Sequence, residues 1–133
     1  MTTNTNMSIF NKYTEPFTKQ VTFKKHLIDY VFWDDTKAVN QNRMNNDGYD
    51  KSNKISVYIP KDINNLSEYV KAKKYNGTGW TIQNGDYLIK GDVPETEVSG
   101  IKELSQYETF IIKSFSDKDY GSKNMHHFEI KGD

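Results

Sequence analysis

Cysteine is absent from the 133-residue chain, and neither sign of charge is in excess. The lack of cysteine excludes disulfides and thiolate metal sites, and it fits a reducing compartment. The 18 lysine and arginine residues balance 18 aspartate and glutamate residues, so the formal net charge is zero. Because a protein that holds the phosphate backbone needs several cationic contacts, this balance argues against tight binding of duplex DNA.

Long apolar runs are also missing. No stretch of the sequence approaches the roughly 20 residues that a membrane-spanning helix needs. The start of the chain, Met1–Met7, is polar and unlike a secretion signal. We therefore expect a protein that is made in the cytoplasm and does not enter a membrane.

Sequence patterns that mark catalysis or cofactor binding are missing too. Residues 77–79 (Gly-Thr-Gly) lack the third glycine and the following helix of a phosphate-binding loop, and no serine lies in a Gly-x-Ser-x-Gly turn. The acidic pairs at residues 34–35 and 95/97 lie beside turns, where carboxylates are usually solvated. His126 and His127 would point to opposite faces of a strand, so they cannot easily share a metal ion. We expect no enzyme, no metal site and no cofactor.

Aromatic residues are what the chain has instead. They make up 14% of the sequence, within a hydrophobic content of only 35%. Disordered chains are poor in such residues, so we expect a folded domain with a thin core and wide polar loops. The length is that of one domain, and a single core is feasible without disulfides. Neighbouring subunits are expected to cover part of the apolar surface.

Short segments in which apolar and polar residues alternate predict strands joined by turns. Together they predict a mainly β fold: a small single-domain barrel or sandwich with long loops and at most one or two short helices. This domain would span residues 8–133 and follow a flexible segment, residues 1–7. The predicted elements are one long bent strand or two successive strands at 21–33, a strand at 55–60, a hairpin of 80–82 with 87–90 around Asn84-Gly85-Asp86, a short helix within 99–106, and strands at 109–115 and 126–131.

A long polar loop is predicted at residues 40–54. The segment has one Met, one Tyr and an Asn-Asn-Asp-Gly centre, and it lacks the pattern of a helix or a buried strand. Loops of this length inside a compact domain are uncommon and often functional. Two interpretations stay open: a disordered surface loop, or a segment that becomes ordered only in an assembly.

Three blocks of sequence carry a resemblance to a known family. They are residues 9–13 (IFNKY), residues 31–38 (VFWDDTKA) with the following 55–60 strand, and residues 117–130 (DKDYGSKNMHHFEI). In this order they resemble an uncharacterised family of small virion proteins from phages and prophages of Gram-positive bacteria, especially clostridia. Residues 84–91 (NGDYLIKG) fit the same family. The chain departs from its pattern at His126, where glutamine is usual, and at Phe128, where tryptophan is usual.

The resemblance implies a structural protein of the virion neck. The family's genes lie between those of the major capsid protein and the tail proteins, which implies a head-to-tail connector subunit made in the host cytoplasm. By analogy with small β-barrel stopper proteins, it implies a head-closure ring, expected to be a hexamer, that gates DNA exit. The expected partners are other copies of the chain, portal and adaptor proteins above, tail-terminator or tail proteins below, and phage DNA that passes without tight binding.

The same analogy implies a set of candidate channel residues, and the preference of subunit contacts for aromatic anchors gives a second set. In stopper proteins a long loop between early strands projects into the channel. The corresponding candidate channel residues are Arg43, Met44, Asn45, Asn46, Asp47, Gly48 and Tyr49. The candidate subunit-interface or core aromatics are Phe32, Trp33, Tyr120, His127 and Phe128.

Two other functions are kept as alternatives. A tail-completion or tail-terminator ring protein of the same neck would differ in position and symmetry. A barrel that binds single-stranded nucleic acid would need Phe23, Tyr30, Phe32 and Trp33 to stack on bases, beside lysines such as Lys24 and Lys25.

Overall fold

The computed structural model describes residues 3–35, 54–119, 121–122 and 125–133. These residues form a single, mainly β domain, a seven-stranded antiparallel sheet with two 3-10 helices. The strands are β1 (Thr5–Thr14), β2 (Val21–Asp34), β3 (Ile55–Pro60), β4 (Tyr87–Lys90), β5 (Glu97–Val98), β6 (Thr109–Lys118) and β7 (His127–Gly132), and the helices are Ala72–Lys74 and Ile101–Leu104.

The strand pairings follow a circuit. The order β1-β4-β6-β7-β3-β2 returns to β1 through the long β1–β2 hairpin, so each of these six strands has a neighbour on both sides. The short strand β5 pairs with the first part of β2. Two ladders of the circuit, β2–β3 and β4–β6, contain only three residue pairs each. The sheet is therefore barrel-like, with two narrow seams.

Strand β1 is buried on both faces. Because successive side chains of a strand point to opposite sides, Met7 and Ile9 enter the main core, while Phe10 enters a second cluster on the outer face. Residues after β4 cover this second cluster. The main core consists of Met7, Ile9, Ile28, Val31, Trp33, Ile55, Val57, Ile59, Trp80, Ile82, Leu88, Phe110, Ile112, Phe128 and Ile130. The second cluster consists of Phe10, Phe23, Ile89, Val93, Val98 and Leu104.

A polar network lies inside this apolar structure. The side chain of Asn11 donates to the carbonyl of Thr81 (2.8 Å) and to the carboxylate of Asp86 (2.9 Å), and it accepts the Thr81 N–H (3.0 Å). The Asp86 carboxylate also accepts the Lys12 N–H (3.1 Å) and the side chain of Gln83 (2.8 Å). Asn11, Thr81 and Asp86 are almost fully buried. Burial raises the pKa of Asp86 above its ordinary value, although these hydrogen bonds oppose the rise.

The predicted fold class is confirmed, and so are several elements. Residues 21–34 form one long strand, β3 has the predicted bounds, and the short helix is a single 3-10 turn. The predicted hairpin of 80–82 with 87–90 is wrong. Within the described residues, 80–82 form no strand, Trp80 makes an isolated bridge to Tyr69, and β4 pairs with β1 and β6 instead. The side chain of Asn11 takes the place of a ladder there.

The predicted start of the domain at Ser8 is too late. Strand β1 begins at Thr5, and Met7 has no exposed surface. Asn4 anchors this end of the chain, because its side chain accepts the Trp33 N–H (2.9 Å) and donates to the Trp33 carbonyl (3.0 Å). These bonds resemble one step of a strand ladder, which explains why a polar segment is ordered.

We predict that Asn11→Ala lowers the free energy of unfolding by about 1–3 kcal/mol, because it leaves the buried N–H and carbonyl of Thr81 without partners and removes one of the three hydrogen bonds to the Asp86 carboxylate. Urea denaturation measures the change. Thr14→Ala, at an exposed position of the same strand, is the matched control and should shift stability by no more than about 0.5 kcal/mol. Equal effects of the two substitutions would contradict the role given to Asn11.

A second prediction concerns pH. The folded-state pKa of Asp86 is raised, so the folded protein binds this proton more readily than the unfolded chain does. The contribution of Asp86 to stability should therefore increase as the pH falls through the raised pKa towards the ordinary value of 3.8. Urea denaturation of the wild type and Asp86→Asn over this pH range measures the difference. The wild type should gain relative to the variant, and a gain with rising pH would refute the prediction.

Candidate assembly surface

Three aromatic rings form a row on the outer face of β2, β3 and β7. Phe32 is directly opposite Tyr58, with 5.9 Å between ring centroids, and Tyr58 contacts the ring of His127 at 5.8 Å. All three are half-buried. Their neighbours along the strands, such as Trp33 and Phe128, point inward. We call Phe32, Tyr58 and His127 the aromatic row.

Charged side chains beside the aromatic row pair with one another. Glu129 is 3.1 Å from Lys131 and 3.5 Å from Lys118, and Lys131 also donates to the hydroxyl of Ser56. Partial burial acts to raise the pKa of Glu129, but the two lysines hold it below its ordinary value. The carboxylate is therefore ionised and paired at neutral pH. A row of rings with paired charges at its edge has the composition of a protein interface.

The candidate aromatic residues predicted from the sequence fall into two groups, one in the core and one on the outer face. Trp33 packs edge-on against Phe110 in the core, with centroids 5.7 Å apart. Phe128 is 1% exposed and packs against Tyr69. Phe32 and His127 lie on the outer face instead. Tyr120 and the candidate channel residues 43–49 lie outside the described residues.

The C-terminal block contains a cluster of ion pairs that the sequence did not reveal. The Lys61 ammonium donates to the carboxylates of Asp117 and Asp119 and lies 4.4 Å from the centre of the Phe128 ring. Its backbone N–H donates to the carbonyl of His126 (3.0 Å). Desolvation acts to lower the pKa of Lys61, but the two carboxylates raise it. Lys61 thus ties the chain after β3 to both sides of the β6–β7 connection.

The two members of the Glu95/Glu97 pair contact different partners, and the adjacent histidines do not act as a pair either. Glu95 accepts hydrogen bonds from Gln106 and Tyr107, whereas Glu97 pairs with Lys24 at 3.2 Å. His127 contacts the carbonyl of Met125 rather than another histidine. Among the described residues, no group of three or more His, Cys, Asp or Glu side chains has the geometry to hold a metal ion. In the same part of the chain, no helix is long and apolar enough to span a membrane.

The full chain, residues 1–133, matches the model of a family described as a family of unknown function, DUF6751. The chain belongs to this family. Neither the curated proteins nor the solved structures contain a match. Membership of DUF6751 names no activity, so the function has to be inferred from the surfaces described above.

We predict that Lys61→Met lowers stability by about 1 kcal/mol, the upper end for ion pairs with exposed carboxylates. Urea denaturation of Lys61→Met, Asp117→Asn and the double variant tests the pairing, because the two losses should be less than additive. High salt should reduce the loss. Lys113→Met is the control, since this lysine is 59% exposed and 3.6 Å from its partner Asp133. Strict additivity would exclude the proposed pairing.

Proposed function

We propose that the chain is a structural subunit of a tailed-phage virion, a member of the head-to-tail connector that forms the head-closure ring below the portal and adaptor. The observation that carries this proposal is the aromatic row, three half-buried rings on the outer face of strands whose inner face is the core. Three sequence blocks resemble an uncharacterised family of small phage virion proteins, whose gene position implies a place in the neck, and this resemblance supplies the biological setting.

The aromatic row fits a permanent contact between subunits. Aromatic side chains dominate the energetics of interfaces because they bury a large area at low entropic cost. Glu129, Lys118 and Lys131 pair with one another, so covering the row leaves no isolated charge. A rotationally symmetric ring uses one surface against a different surface of the next copy, as a hexamer would.

Charge supports a conduit rather than a DNA-binding protein. The formal net charge is zero, so passing DNA would not be held by many phosphate contacts. Of the rings needed to stack on bases, Phe23 and Trp33 are buried in two different clusters. Lys24 and Lys25 are paired with Glu97 and Asp92. These observations favour the connector over the single-stranded nucleic-acid barrel, while a tail-terminator ring would use the same surfaces.

The connection between β2 and β3 starts and ends at neighbouring points of the sheet, since Asp34 is directly opposite Ser56. A connection of this kind can be long without separating the strands that it joins. This position is compatible with the channel role that the resemblance implies for residues 43–49. That role stays a prediction from the sequence.

Electron cryomicroscopy of intact particles that contain this chain tests the proposal. We predict that its density forms a ring on the particle axis, between the portal and the tail. Density in the capsid shell or the baseplate would refute the neck assignment. A ring next to the tail tube rather than the adaptor would select the tail-terminator alternative.

A substitution in the aromatic row tests the observation itself. We predict that Tyr58→Ser leaves the isolated domain folded, because the ring is only half-buried, but yields filled heads without stably joined tails. Complementation of a phage lacking the gene, followed by electron microscopy, measures joining. Ile101→Ser removes an exposed apolar side chain far from the row and is the control. Normal joining with Tyr58→Ser would remove the row from the interface.

A further inference from the structure

The tip of the β1–β2 hairpin carries an exposed phenylalanine on an ordered turn. Phe17 is 93% exposed, compared with 57% for Met125, the next most exposed large apolar side chain described. The Glu15 carbonyl accepts the Lys19 N–H (2.8 Å), and the Glu15 carboxylate accepts the Phe17 N–H (2.9 Å). Lys19 adopts a positive φ of 62°. The turn is thus built to hold Phe17 away from its own domain.

A recess whose size and charge suit the side chains of the hairpin tip lies farther along β2. The side chain of Asn64 accepts the Tyr30 N–H (3.1 Å) and donates to the Tyr30 carbonyl (2.8 Å), which places Ile63 beside β2. Tyr30 and Ile63 are both about half exposed. Next to them is a recess of about 170 Å³, lined by His26, Leu27, Ile28, Asp29, Asn64, Asn65, Glu68 and Trp80.

The size of the recess favours a side chain over a free ligand. Small-molecule sites usually enclose roughly 300–1,000 Å³, and this recess encloses about 170 Å³. Because Asp29 and Glu68 line the recess, its charge favours a positively charged side chain. Burial lowers the pKa of His26 despite these two acids, so the ring is neutral at neutral pH and does not offset them. At the hairpin tip, Lys19 is exposed beside Phe17.

We propose that the hairpin tip, Phe17 with Lys19, docks into the recess beside Tyr30 and Ile63 of a second copy of the chain. The tip precedes β2, and the recess lies beside residues 26–29 of that strand, so about 15–25 Å of extended strand separates them. They cannot meet within one molecule, so the contact joins copies head to tail. A head-to-tail contact closes into a ring or continues as a filament. In the proposed ring, this contact would join neighbouring copies. The docking itself does not depend on the proposed function; only its closure into a ring rests on that proposal.

Engineered cysteines test this contact, because the chain contains no cysteine of its own. Thr18→Cys places a thiol at the tip, and Ser67→Cys places one beside the recess; both positions are exposed. Mixing the two full-length variants under mild oxidation should give a disulfide-linked dimer on a non-reducing gel. Thr18→Cys mixed with Ser105→Cys, an exposed position near the 101–104 helix, is the control. Equal cross-linking of both mixtures, or none, would overturn the proposal.

Two further substitutions test the chemistry of the contact. Phe17→Ser, added to Thr18→Cys, should reduce the cross-linking rate about tenfold or more, since it removes an apolar ring from the contact. Its unfolding midpoint should not change, because the ring contributes little to the core. Lys19→Glu should also slow cross-linking, and Asp29→Lys on the partner should restore it. Failure of Asp29→Lys to restore cross-linking would reject the charge pairing on which the docking depends.

The outcomes separate this contact from the proposed function. Cross-linking uses the purified chain, whereas the neck assignment depends on the position of density in particles. A specific cross-link from a chain that lies outside the neck would keep the contact and reject the function. The opposite result is also possible to distinguish. If the chain lies in the neck, and Phe17→Ser impairs the joining of phage heads to tails without slowing cross-linking, the tip binds another partner and the proposed contact is overturned.

Discussion

The hydrogen bonds of Asn11 are the interaction on which the rest of the domain depends. This one amide bridges β1 to Thr81 and Asp86, which belong to a segment with no strand ladder of its own. The same segment reaches β6, because Gly85 donates to the Ile112 carbonyl and Ile112 donates to that of Asp86. Without the amide, the buried N–H and carbonyl of Thr81 would lack partners, and the Asp86 carboxylate would keep only Lys12 and Gln83 as donors. Leaving buried polar groups unpaired costs more free energy than one hydrogen bond contributes. The network therefore fixes where β4 starts and where β6 can pair.

That constraint also explains which surfaces are left for partners. With β1 buried on both faces, the outer side of the β1–β2–β4 region is covered by the Phe10 cluster. The outer side of β3 and β7 has no such cover within the described residues, and it is there that Tyr58 and His127 lie. Among the residues that the structure describes, one outer face is therefore covered and the other is not. A ring subunit needs such an asymmetry, because each copy must present different surfaces to its two neighbours.

The sequence predicted the parts of the fold that local pattern determines. Alternation in residues 21–34 and 55–60 reflects burial of one face, so both strands were found. The hairpin predicted around Asn84-Gly85 was wrong because the chemistry of a turn does not specify which strands will pair. In the structure, hydrogen bonds of the buried Asn11 amide replace the expected strand ladder. Lys61 was missed because its partners lie 56 and 58 residues away in sequence. Tyr58 was missed because an alternating strand looks the same whether its outer face meets water or a neighbour.

The two candidate contacts differ in kind, and the difference is informative. The aromatic row is broad, shallow and bordered by ion pairs that are already complete, so it is suited to a surface that is covered once and stays covered. The hairpin tip presents a single ring and an exposed lysine on a turn fixed by its own hydrogen bonds. Holding the ring in place before contact lowers the entropic cost of docking. A subunit that joins a ring in steps gains from this order, because a small preorganised contact can align two copies before a larger face closes.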